Sequence, residues 1–89
     1  MRLRHTPDGE KVLAEWIRLR SPSQADRELV AGVLRSVENR EWGRWDHYTD
    51  TSDDDITIYE PRTGLTAHIR LWASEDQFEL ARILDDYSG

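Results

Sequence analysis

ITIYEPRTGLTAHIRLW, residues 56–72, alternates apolar and polar side chains on both sides of Pro61-Arg62-Thr63-Gly64. Period-two alternation belongs to a strand with one dry face and one wet face. Pro and Gly at those positions suit a type I turn with Gly64 in the left-handed region, which closes a hairpin by pairing Glu60 with Leu65. The register follows from that pair. Ile58 meets Ala67 and Ile56 meets Ile69 toward a core, while Tyr59 with Thr66, Thr57 with His68 and Asp55 with Arg70 share the other face. Cross-strand pairs of these kinds contribute about 0.2 to 1 kcal/mol each.

Upstream, residues 44–49 read as another strand, with Trp45, His47 and Thr49 on one side and Asp46 and Tyr48 on the other. The acidic stretch 51–55 between the two strands reads as a loop. Earlier still, Thr6-Pro7 and Ser21-Pro22 each join a hydroxyl N-cap to a proline at the first helical position, where its missing N–H costs nothing. Val12, Leu13, Trp16 and Ile17 then share a face, as do Leu29, Val30, Val33, Leu34 and Val37, so helices are expected over 7–19 and 22–38. Downstream, Ser74-Glu75-Asp76-Gln77 has the form of a capping box. Phe78, Leu80, Ala81, Ile83, Leu84 and Tyr87 would give the helix it opens an apolar side, leaving Glu79, Asp85 and Asp86 in water. The expected fold is α+β: two N-terminal helices, a three-stranded antiparallel meander and a C-terminal helix packed on the sheet (αα-βββ-α), a single domain spanning 1–89.

A chain of 89 residues buries only about 60 to 65% of the surface it exposes when unfolded. Leu, Ile, Val and Phe number 19, close to the roughly 20% level below which a highly charged chain stays disordered. Trp16, Trp42, Trp45 and Trp72, each able to bury about 200 Å², move the balance toward a packed fold. Self-association to form a homodimer would reinforce so small a core. The absence of cysteine excludes disulfides and thiolate chemistry. No leader-like apolar start and no membrane-length apolar run occurs, so a cytoplasmic location is the default expectation.

Twelve basic residues stand against 18 acidic ones, a net charge of −6. The charge is uneven along the chain. Residues 1–44 hold nine basic and seven acidic side chains, +2, whereas residues 45–89 hold three and eleven, −8. Eleven of the twelve basic residues are arginine, a skew that points to a GC-rich genome, bacterial or phage.

The chemistry-bearing residues form few patterns. Asp50, Asp53, Asp54 and Asp55 are oxygen-rich, but a calcium loop starting at Asp50 would place Asp55 where glycine belongs and Pro61 where the bidentate glutamate belongs. His5, His47 and His68 lack the spacing and thiol companions of a zinc site. No P-loop, dinucleotide-binding or nucleophile-elbow motif occurs. Neither catalytic, cofactor nor metal residues are assigned. The order α-βββ-α is also that of double-stranded-RNA-binding domains, whose last helix begins with lysines on phosphate. Glu75 and Asp76 stand there instead, which disfavours nucleic acid as a partner.

The expectation that remains is a small acidic protein-interaction or regulatory module of bacterial or phage origin, of the antitoxin, immunity or mimic type. It would engage a protein with a basic surface through Asp53, Asp54, Asp55 and the Trp42-Trp45 corner. The alternative is a small-molecule or anion binder, or a minor enzyme, acting through Tyr59, His68 and Arg70 on the wet face of the hairpin.

Overall fold

The computed structural model describes residues 2–49 and 55–85. They fold as β1 (Arg4–His5), α1 (Pro7–Arg20), α2 (Gln24–Glu38), a 3₁₀ turn (Trp42–Arg44), β2 (Asp46–Thr49), β3 (Asp55–Glu60), β4 (Leu65–Trp72), a second 3₁₀ turn (Ala73–Glu75) and β5 (Gln77–Asp85). The five strands form one sheet in the order β1-β5-β4-β3-β2.

Both helices begin on side-chain caps. The Thr6 hydroxyl accepts from the Gly9 N–H, with Pro7 next in line and Asp8 and Glu10 in the first turn, where the helix dipole favours carboxylates. α1 ends at Ser21, whose backbone is left-handed (φ 45°) and whose N–H returns to the Ile17 carbonyl. Because Ser21 is spent closing α1, the second helix starts two residues later than its proline suggests. Ser23 is the N-cap of α2 and accepts from the Asp26 N–H. Val30, Val33, Leu34 and Val37 form the buried stripe of that helix.

The hairpin has the register its turn requires. Glu60 pairs with Leu65, Ile58 with Ala67, Ile56 with Ile69, and Asp55, Thr57 and Tyr59 pair with Arg70, His68 and Thr66. Gly64 takes φ 79°, and its N–H and that of Thr63 both donate to the Glu60 carbonyl. β2 adds to β3 with Asp46 opposite Tyr59 and Tyr48 opposite Thr57.

Two expectations are corrected. The segment after residue 76 is a strand rather than a C-terminal helix, and the sheet is a mixed five-stranded one rather than a three-stranded antiparallel meander. β5 runs antiparallel to β4 and parallel to the two-residue β1. The cause of the first error is one extra residue. Leu80 pairs with Ile69 and Arg82 with His68, so Ala81 has no opposite number and forms a β-bulge. That insertion turns a strand's apolar spacing of 78, 80, 82 into 78, 80, 83, and it sets Phe78, Ala81 and Leu84 at helical intervals. The Ser74 to Gln77 segment that resembles a capping box is a 3₁₀ turn followed by Asp76 at φ 53°. A residue in that conformation redirects the chain and does not open a helix.

The strand before α1 has no pattern of its own because two residues cannot show a period. Its tethers are backbone bonds: Leu3 N–H to Glu38, Arg4 N–H to Asp76 and Thr6 N–H to Phe78. Leu3 is buried between them. His5 stacks flat on Phe78, with ring centroids 4.7 Å apart, and its Nε2 accepts the Leu80 N–H at 3.1 Å. Gly9 makes this junction close, since a Cβ there would lie 2.2 Å from His5 Nε2 and 2.8 Å from the Leu80 backbone nitrogen.

Both helices cover one side of the sheet. The core joins Trp16, Val30, Val33, Leu34 and Val37 to Ile56, Ile58, Leu65, Ala67, Ile69, Phe78 and Leu80. No helix among the described residues is long and apolar enough to cross a membrane.

Candidate functional site

The other side of the sheet carries no described helix. Four rows of side chains cross it, set by strand register: Asp46, Tyr59, Thr66 and Leu84; then Thr57, His68 and Arg82; then Asp55, Arg70 and Glu79; then Trp72, Gln77 and Arg4. The two middle rows enclose a groove of about 460 Å³ lined by Asp55, Thr57, His68, Arg70, Ala81 and Arg82 among others. The bulge lies in its wall. A bulge raises local twist and bends its strand, and this is how side chains on a sheet are brought to converge instead of standing parallel.

Thr57 Oγ1 and His68 Nδ1 are 3.2 Å apart. The pKa of His68 is lowered from 6.5, first by partial burial and then by the charge of Arg82, with Asp55 pulling in the opposite sense. The ring is therefore mostly neutral at pH 7. If the threonine hydroxyl donates to Nδ1, Nε2 carries the proton and becomes a donor toward the groove.

Arg70 and Arg82 make no ion pair among the described residues, although the chain has an excess of carboxylates. Arg40, Arg44 and Arg62 do find carboxylates, at Asp76, Glu41 and Glu60. The carboxylate of Glu79, opposite Arg70, instead accepts from the Thr6 hydroxyl at 2.9 Å. Two guanidinium groups, one neutral imidazole and one hydroxyl thus border the same recess. This set can hold an oxyanion by charge-assisted hydrogen bonds. It is poorly equipped for nucleophilic catalysis, because no carboxylate among the described residues bonds the second histidine nitrogen to orient the base.

The residues singled out in the sequence separate clearly. Asp55, His68 and Arg70 come together at the groove, and Tyr59 lies one row away, 42% exposed. Trp42 and Trp45 do not join them. Both are half-buried and packed against the core, and the Trp45 indole N–H donates to the buried Ser36 hydroxyl at 2.8 Å. That pair anchors the 3₁₀ turn to α2 and is no exposed aromatic corner. Asp53 and Asp54 lie outside the described residues. No cluster of three or more metal-ligating side chains occurs among the described residues. Arg82 was missed, because the helical reading of residues 74–87 assigned it no face. Its signal was the alternation Phe78, Glu79, Leu80, Arg82, Ile83, which appears once Ala81 is set aside.

Comparison with known proteins adds no identity. The chain matches no family model, no curated protein and no solved structure.

Proposed function

We propose that this protein binds a small organic or inorganic anion, carboxylate or phosphate, in the groove on its open sheet face. The observation that carries the reading is the pair Arg70 and Arg82, which border a recess together with His68 and Thr57 and have no ion-pair partner among the described residues. Arg82 supplies charge and directional N–H groups. With the Thr57 hydroxyl donating to Nδ1, the imidazole adds a neutral Nε2–H donor that becomes cationic when an anion arrives.

The net charge of −6 does not forbid this. Screening acts over about 8 Å at physiological ionic strength, so distant carboxylates contribute little field at the groove. Asp55 is near enough to matter. It would repel a second negative charge, which favours a ligand with one anionic head and disfavours polyanions such as nucleic acid. The protein-interaction reading through an acidic half and a tryptophan corner has less support, since the tryptophans are spent on packing.

The test is a titration with inorganic phosphate and with acetate at constant ionic strength, followed by amide and side-chain NMR. Shifts should saturate and centre on Thr57, His68, Arg70 and Arg82. A charge-assisted hydrogen bond contributes about 1.5 to 3 kcal/mol, so Arg82→Gln should weaken binding about tenfold or more, while Arg62→Gln on the hairpin turn leaves it unchanged. Equal loss in both variants, or no saturable shift with either anion, would remove the proposal.

A further inference from the structure

A second surface lies beside the anion groove and shares Ala81 and Arg82 with it. β5 is bordered by β1 only at Gln77 and Phe78, with Thr6 N–H and the His5 ring serving the Phe78 carbonyl and the Leu80 N–H just beyond. From Ala81 to the end of the strand, β4 is the only strand paired with it among the described residues. An unprotected edge of this kind is a template for another strand.

The flanks of this edge are apolar. Val12, Trp16 and Leu19 of α1 and Ile83 and Leu84 of β5 line a recess of about 370 Å³ beside it. Leu19 is 63% exposed and Leu84 37% exposed. Leu84 belongs to the open face and Leu19 to the helix on the other side, so an added strand would meet apolar side chains above and below. The indole N–H of Trp16 is buried in the wall of this recess and has no hydrogen-bond partner among the described residues. Glu15 on the helix and Arg82 on the strand give the rim both signs of charge.

We infer that the β5 edge from Ala81 onward is a homodimer interface, in which two copies of this chain pair their β5 strands antiparallel across a two-fold axis. A two-fold interface must be complementary to itself. A bare strand edge meets that condition through its alternating donors and acceptors. A rim bearing both signs of charge, at Glu15 and Arg82, is likewise compatible with a second copy of itself. The result is one continuous sheet through both copies, with both pairs of helices on the same side.

Sedimentation analysis over a concentration series reaching about 300 µM, near the range where small interfaces associate, tests this on the full chain. Wild type should approach twice the chain mass, and the amides that face the edge, that of Ile83 among them, should exchange more slowly as concentration rises. Leu19→Glu and Leu84→Lys change exposed side chains, so each should keep the native circular dichroism spectrum and sediment as a monomer. A wild type that remains monomeric at the highest concentration would overturn the inference. So would a dimer that survives both substitutions, or one whose edge amides are indifferent to concentration. Anion binding by the monomeric variants would persist, so this inference and the groove reading fail separately.

Discussion

His5 illustrates how one side chain can tie three elements together. Its ring lies on Phe78, its Nε2 accepts the Leu80 N–H, and α1 approaches it so closely at Gly9 that a Cβ would not fit. Burial lowers its pKa below 6.5 against the opposing pull of Glu10, Glu79 and Glu38. The unfolded chain therefore takes up this proton at a higher pH than the folded one. The stability linked to His5 is complete above about 6.5 and is lost as pH falls below that value through the folded pKa. His68 shifts in the same direction and adds to the effect. Urea denaturation at pH 7.5 and pH 5.5 should show wild type weaker at the lower pH. His5→Gln, which keeps an acceptor but cannot titrate, should lower the difference between the two. A difference undiminished in His5→Gln would mean that the acid sensitivity originates elsewhere.

At the scale of elements, β5 and its bulge decide how the site is built and how much of it could be read in advance. The hairpin was legible down to its residue pairs because its turn has a fixed length and both strands keep strict alternation. The helices were legible from their caps and apolar stripes, apart from the start of α2, where Ser21 closes one helix and cannot also open the next. β5 was not legible, because Ala81 breaks its period and the preceding turn imitates a capping box. The same residue concealed Arg82, so only the half of the groove supplied by β3 and β4 could be anticipated. β1 had no signal at all, being held by long-range backbone bonds. One prediction belongs at this scale. Deleting Ala81 leaves Arg82 opposite His68 and Ile83 opposite Ala67, so the pairing and the core survive while the local twist is lost. The deletion variant should retain the long-range backbone contacts of the sheet in NMR spectra and bind anions about tenfold more weakly or worse, as expected when charge-assisted hydrogen bonds lose their geometry. Unaltered affinity would show that the bulge does not shape the site.

The described residues place two helices on one side of a mixed sheet and none on the other. The asymmetry of charge along the chain, +2 in the first half and −8 in the second, does not translate into a uniformly acidic surface. Two of the three basic residues of the acidic half, Arg70 and Arg82, meet at one groove because β4 and β5 are neighbours, a fact of topology that no linear count of charges contains. The central claim is that this groove binds an anion, and the histidine at its centre reports on it directly. Following the His68 ring resonances through a pH titration, with and without saturating phosphate at matched ionic strength, is the decisive measurement. A bound anion stabilises the imidazolium, so phosphate should raise the His68 pKa from its lowered value toward or beyond 6.5 while leaving His5 unmoved. A His68 titration curve identical in phosphate and in chloride would contradict the account.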